Sequence, residues 1–270
     1  MIKKTYFIGH RGVPSDKNVL ENTIESFNLA AKSTHDGIET DIWPTIDHKL
    51  VCCHDRWPFR FSFKKIYNLK LKQIQKKSLH GSVDYPRNNP GAFYKGLKWK
   101  KNKAPTFFQY LEICKQNNKL AFVELKNDKQ WSEDKKGIWT YENIDAIIDV
   151  VNKSGMSYQK IWFISLDNDL LMAFKKRFPF IQIMIIVDPN NKIKEYRDPK
   201  YFLDRNYSID IGDFDSKSTK DWGIKIDQKL IQDFHNKNLF VGAWTINEPE
   251  RVKSLVALGI DFITSDYIIK

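Results

Sequence analysis

The sequence predicts a single closed (β/α)₈ barrel spanning residues 1–270, with a small basic insertion after the second strand. Two observations carry this. Short Ile-, Val- and Phe-rich runs alternate with amphipathic helical runs along the chain. There are eight such strand candidates, and several are nearly continuous apolar runs of the kind buried on both faces in parallel sheets. Eight strands favour a closed barrel over an open doubly wound sheet.

The strand candidates are Tyr6–Gly9, Gly37–Ile42, Leu120–Leu125, Lys160–Ser165, Ile181–Val187, Tyr207–Ile211, Leu239–Trp244 and Ile260–Thr264. Between them, Asn22-x-x-Glu25 reads as a capping box opening a helix with Ile24, Phe27, Ala30 and Ala31 on one face. Thr106-x-x-Gln109 opens another after Pro105. Tyr141–Ser154 carries Ile144, Ile147, Ile148 and Val151 and stops at Gly155. Asn168–Phe178 ends before Pro179, and Gln228–Asn238 and Glu248–Leu258 follow. Asn191–Arg205 is a weaker helix interrupted by Pro199. Leu50–Cys53 breaks the alternation. It follows the second strand after only Trp43–Lys49, too few residues for a parallel crossover, so it should fold back as a hairpin. After the last strand only Ser265–Lys270 remain, too few for a full eighth helix.

The hydrophobic fraction is 41%, enough for a sizeable core, and no apolar run reaches the ~18–20 residues of a membrane span. The apolar run near the N-terminus breaks at Gly9-His10-Arg11, so no signal peptide is read and a cytoplasmic location is expected. Three cysteines, Cys52, Cys53 and Cys114, are too few and too odd for a disulfide framework; they read as small buried residues. The net charge is +11 and uneven. Arg56–Lys103 holds 14 Lys/Arg and one acid, Asp84, which is +13 and leaves −2 for the rest. That segment also carries Trp57, Phe59, Phe61, Phe63, Tyr67, Tyr85, Phe93, Tyr94 and Trp99. This insertion, at about 56–105, admits three readings. They are a solvated face, a surface for anionic membrane, and a nucleic-acid surface, and no recognised nucleic-acid motif supports the last.

The polar residues cluster at the C-terminal ends of the strand candidates, where barrel enzymes keep their chemistry. They are His10-Arg11, Glu39-x-Asp41, His54-Asp55 after the hairpin, Glu124-x-Lys126 and Trp244-x-x-Asn247. Residues i and i+2 on a strand face the same side, so Glu39 with Asp41, and Glu124 with Lys126, should both point inward. Three carboxylates at one barrel mouth repel unless a hard cation sits among them, and all-oxygen ligation suits one Mg²⁺ or Ca²⁺ ion. Arg11 and Lys126 beside that cation fit a phosphate group. His10 and His54 then supply acid and base, in an order the sequence does not assign. His35, His48, His80 and His235 match nothing of this kind and read as surface or structural.

The ordered set His10-Arg11-Gly12, Glu21-Asn22-Thr23, Glu39-Thr40-Asp41, His54-Asp55, Glu124-Leu125-Lys126 and Trp244-Thr245-Ile246-Asn247 resembles the glycerophosphodiester phosphodiesterase family. The likeness runs from about His10 to about Ser265. It implies a TIM barrel that hydrolyses glycerophosphodiesters to glycerol 3-phosphate and an alcohol. The glycerol 2-hydroxyl would attack phosphorus, and water would open the cyclic phosphate. The resemblance implies His10 and His54 as acid and base, Glu39, Asp41 and Glu124 as metal ligands, and Arg11 and Lys126 as phosphate ligands. It also puts Glu21 in the site and Trp244 on the wall of the substrate pocket, and matches the basic insert in position to the family's small insertion domain. Two departures stand out. Leu20 replaces a usual Pro, and Arg56-Trp57-Pro58-Phe59-Arg60-Phe61 replaces a Thr- and Gly-rich stretch. The aromatic, basic insert keeps open a lysophospholipase D acting on lysolipids, and a barrel without catalysis that binds anions or membranes is the reading from another class.

Overall fold

A computed structural model describes residues 4–14, 19–57, 64–79, 102–128, 137–188, 191–212 and 224–268. Among these, eight parallel strands close into a barrel: β1 (Tyr6–Gly9), β2 (Gly37–Pro44), β4 (Leu120–Leu125), β5 (Ile161–Ser165), β6 (Gln182–Val187), β7 (Ser208–Gly212), β8 (Val241–Trp244) and β9 (Phe262–Ser265). Closure comes from β1, which pairs with β9 on one side and β2 on the other. The expected strands are all present, with ends shifted by a residue or two. β3 (Leu50–Cys52) runs antiparallel to the end of β2, the hairpin that the short Trp43–Lys49 connection requires.

The helices α1 (Ile24–Ala31), α2 (Leu71–Ile74), α3 (Phe107–Gln116), α4 (Tyr141–Ser154), α5 (Asn168–Arg177), α6 (Pro199–Leu203), α7 (Gln228–His235) and α8 (Pro249–Leu258) accompany the strands. α3 starts at the expected Thr106/Gln109 capping box, and α4 ends on Gly155 in the left-handed conformation. α1 differs from expectation by one residue. Its capping box is Thr23 with Ser26, and Ile24 faces outward. Asn22 takes no part in the cap, because its side chain is held by strand β2. Pro199 splits the weak helix into a 3₁₀ turn, Lys194–Arg197, and α6, where it occupies the first turn.

Two apolar layers result. Outward-facing strand residues such as Ile38, Val123, Phe163, Ile185 and Ile209 pack against the helices. Inward-facing Ile8, Phe122, Trp162, Ile164, Met184, Ile186 and Phe262 fill the barrel. Phe122, Trp162, Phe240 and Phe262 interlock with ring centroids 5.1–6.2 Å apart, a solid plug beneath the mouth. A satellite core of Trp43, Val51, Ile66, Leu69 and Ile74 sits under the β3 excursion. Beside it, Asp128 accepts hydrogen bonds from Lys65 and the Tyr67 hydroxyl and pairs with Arg56, which ties the near end of the insert to the barrel rim. Residues 58–63 and 80–101, with most of the insert's aromatics and His80, lie outside the described residues. No helix among the described residues is long and apolar enough to cross a membrane.

The three cysteines are buried and free, and burial pushes the Cys114 thiol up to about 12. The remaining described histidines are structural in their contacts. His48 meets Asn143, His235 meets Asp261, and His35 meets Ser33. His35 is 1% exposed, and burial, helped by Lys119, lowers its pKa from 6.5 to about 4. The unfolded chain therefore takes up this proton before the folded one does. Stability from His35 is complete above about pH 6.5 and is lost as pH falls toward 4, by about 2–3 kcal/mol. Urea unfolding at pH 7 and pH 4.5 checks it: His35→Gln should lose less stability across this interval than the parent, and equal losses would dismiss the effect.

Candidate active site

The site is built at the C-terminal mouth of the barrel from β1, β2, the β3 excursion, β4 and the segment after β9. In the β2–β4 ladder Asp41 lies opposite Glu124, and Glu39 is two residues below on the same face. The carboxylates of Glu39, Asp41 and Glu124 each offer an oxygen within 4.8 Å of the others. Lys126 Nζ reaches Glu124 Oε1 at 3.0 Å and Asp41 Oδ1 at 3.3 Å.

Past β1 the chain turns tightly, with Arg11, Gly12 and Val13 all at positive φ. Gly12 is required here. At φ +85° a Cβ would lie 2.6 Å from the backbone of Ser26 in α1. The turn aims the Arg11 amide at Glu39 Oε2 (2.9 Å) and its guanidinium at Glu21 Oε2 (3.0 Å), with Nε 3.5 Å from Asp41 Oδ2. Asn22, also at positive φ, donates to Asp41 Oδ2 and accepts from Thr40 Oγ1 and the Asp41 amide. This explains Glu21-Asn22-Thr23 as a unit: Glu21 orients Arg11, Asn22 locks Asp41, and Thr23 caps α1.

His10 Nδ1 lies 2.6 Å from Asp266 Oδ1, and its Nε2 faces Glu39 at 3.9 Å. Asp266 is itself held by the Asn247 side chain, which donates to Oδ2 and accepts from the Asp266 amide. His54 arrives on the excursion, where the Cys53 amide bonds Asp41 O and Trp43 Nε1 bonds His54 O. Its Nδ1 is 2.7 Å from Asp55 Oδ1. Each histidine thus has its Nδ1 fixed by a carboxylate. Trp244, partly buried, packs on the barrel-interior cluster. All nine residues singled out in the sequence lie at or around this mouth.

Electrostatics sort the carboxylates. Burial pushes Glu39 well above the usual carboxylate range, and Asp41 adds to this. Burial also opposes charge on Asp41, but Lys126 and Arg11 outweigh it and hold that carboxyl well below its usual range. Arg11 and Lys126 stay protonated despite burial, because Glu21, Glu124 and Asp41 surround them. Glu39 Oε1 and Asp41 Oδ1 are buried and accept no hydrogen bond, although Lys126 stands at ion-pair distance from the latter. Three clustered carboxylates, two of them with an orphaned oxygen, fit a hard divalent cation.

Three acids escaped the sequence reading: Asp266 beside His10, Asp128 at the near end of the insert and Asp210 in β7. A lone acid between two isoleucines in β7 was the available signal for Asp210, whose carboxyl is pushed up to about 8 by burial and then by Glu124. A cleft of ≈ 330 Å³ opens beside Glu124 and Lys126, walled by Trp43, Leu166, Asp188 and Tyr196.

The model of the glycerophosphoryl diester phosphodiesterase family matches residues 10–270. The chain belongs to that family. It is accordingly a phosphoric diester hydrolase of the glycerophosphodiester class. A glycerophosphodiester phosphodiesterase of Caldanaerobacter subterraneus is 23% identical over 265 residues, covering 97% of this chain and 94% of the relative. Among solved structures, a glycerophosphodiester phosphodiesterase of Parabacteroides distasonis superposes with a TM-score of 0.71 at 20% identity over 98% of this chain and 94% of its own. An Oleispira antarctica phosphodiesterase in complex with the product sn-glycerol-3-phosphate gives 0.69 at 20% identity, over 97% and 93%. At these identities the structures speak for the shared barrel.

Proposed function

We propose that the protein hydrolyses glycerophosphodiesters to glycerol 3-phosphate and an alcohol in a divalent-cation-dependent reaction, with His10 and His54 as the acid–base pair. The observation that carries this reading is the triad of Glu39, Asp41 and Glu124 within 4.8 Å, flanked by Arg11 and Lys126. Glu39, Asp41 and Glu124 would hold Mg²⁺ or Ca²⁺, which when bound polarises the phosphoryl oxygens and offsets their charge. Arg11, steadied by Glu21, and Lys126 would bind the remaining phosphate oxygens. One histidine would take the proton of the attacking glycerol 2-hydroxyl and the other would protonate the departing alcohol oxygen, after which water would open the cyclic phosphate to glycerol 3-phosphate. Asp266 and Asp55 orient the two rings, so that Nε2 of each is the working nitrogen. Trp244 would wall the substrate pocket. The Oleispira neighbour's complex with sn-glycerol-3-phosphate supports this product class.

The test is inorganic phosphate release from glycerophosphocholine with and without an added phosphomonoesterase. Release only with the second enzyme is expected, since a monoester must form first. Phosphate without it, or none in either case, would overturn the proposal.

A further inference from the structure

The cleft of ≈ 330 Å³ at the barrel mouth begins at Glu124 and Lys126 themselves, so a group joined to a phosphate held there has open space to enter. Its other walls come from the segments past β5 and β6. The first gives the exposed Leu166 and Asp167, the second Asp188, Lys192 and Tyr196. Trp43 completes the wall on the β2 side, with its Nε1 bonded to His54 O at 3.1 Å. These side chains are fixed in place. The Tyr196 hydroxyl donates to Asp169, and its ring packs on Phe202 with centroids 5.6 Å apart. Asp167 accepts from the Leu170 amide at 3.1 Å and from Asn127 Nδ2 at 2.7 Å, neutral donors that orient a carboxylate without cancelling its charge. Charged residues of the cleft are unbalanced: Glu124, Asp128, Asp167 and Asp188 against Lys126 and Lys192. Arg56 and Lys65 match Asp128, and Lys126 pairs with Glu124, so the excess of acid is carried by Asp167 and Asp188 against Lys192. Among the described residues only Glu39, Asp41 and Glu124 converge closely enough to share one metal ion, so the cleft acids do not form a second metal site.

We infer that this cleft holds the non-glycerol arm of the diester and selects a cationic amino alcohol there, with Asp167 and Asp188 as counter-charge and Trp43 and Tyr196 as aromatic walls. The inference deepens the proposed function and rests on it. The glycerol arm is neutral and gains nothing from an excess of acid. An anionic arm would be repelled by it. An organic ammonium is the complementary group: its charge is answered by carboxylates spread over the walls, and its carbon atoms by Leu166 and the two aromatic rings. Discrimination then falls on the charge of the arm that leaves, while the phosphate contacts of Arg11 and Lys126 are the same for every substrate.

The test is kcat/KM of the full chain, in Mg²⁺, for glycerophosphocholine, glycerophosphoethanolamine and glycerophosphoglycerol, whose second arm is neutral. The wild type should favour the two cationic substrates by about 5- to 50-fold. Asp188→Asn, which keeps the shape and removes the charge, should lower both cationic values by about 5- to 10-fold and leave glycerophosphoglycerol within about twofold. Turnover of glycerophosphoglycerol by the variant also shows that it is folded. A wild type that turns over all three alike, or prefers the neutral arm, overturns the inference. So does an Asp188→Asn variant that loses all three in proportion, or none. In each of these cases the diesters are still hydrolysed and the functional reading stands, whereas no turnover of any of them by the wild type removes that reading and this inference with it.

Discussion

Alanine in place of His10 is expected to lower kcat by about 10²–10⁴-fold, and alanine in place of His54 by a similar factor. The expectation comes from how the two rings are held. His10 has Nδ1 tied to Asp266 at 2.6 Å, and Asp266 is fixed twice by Asn247. That chain of contacts leaves Nε2 facing the triad, as the proposed acid–base role needs. His54 has the same arrangement with Asp55 and is delivered by a hairpin whose backbone bonds directly to the Asp41 carbonyl. Neither imidazole belongs to the apolar core, so removing either should cost little stability. Steady-state turnover of glycerophosphocholine, beside a denaturation midpoint close to wild type, is the measurement. An unchanged kcat in His54→Ala would take that residue out of the mechanism.

Much of this site was legible in the sequence because it obeys strand periodicity. Glu39 with Asp41, and Glu124 with Lys126, needed only the rule that i and i+2 share a face. His54 was legible through a constraint on connection length, which forbade a parallel strand after Trp43–Lys49 and so turned the chain back to the mouth. The residues missed are those whose role depends on a partner remote in sequence. Asp266 matters because it meets His10, 256 residues away, and Asp128 because it gathers Arg56, Lys65 and Tyr67. Asn22 illustrates the competition. Its type suits an N-cap, but tertiary contacts with Thr40 and Asp41 claim its side chain, and the cap passes to Thr23. Local pattern determines which face a side chain occupies; the fold determines what it meets there.

Chelation of divalent cations should abolish turnover, and Mg²⁺ or Ca²⁺ should restore it. The physical reason lies in the charge balance of the mouth. Glu39, Asp41 and Glu124 are closely packed, and Arg11 and Lys126 do not satisfy all their oxygens. In the metal-free protein burial and the Asp41 charge oppose ionisation of Glu39, so the site is strained by its own acids. A bound cation would convert that repulsion into ligation, and one that binds only the folded state would stabilise it by about 2.7 kcal/mol at a hundredfold excess over Kd. For a chain of this size the melting temperature should rise by roughly 5–10 °C. Glu39→Gln separates this from a general salt effect. Relieved of one buried acid, the metal-free variant should melt at or above the wild type, yet gain little from added cation and turn over substrate weakly. Scanning calorimetry of both proteins, with EDTA and with each cation, reads the stability arm independently of activity. A wild type that neither gains stability from Mg²⁺ or Ca²⁺ nor loses turnover to EDTA would leave the triad as a cluster of structural ion pairs with Arg11 and Lys126.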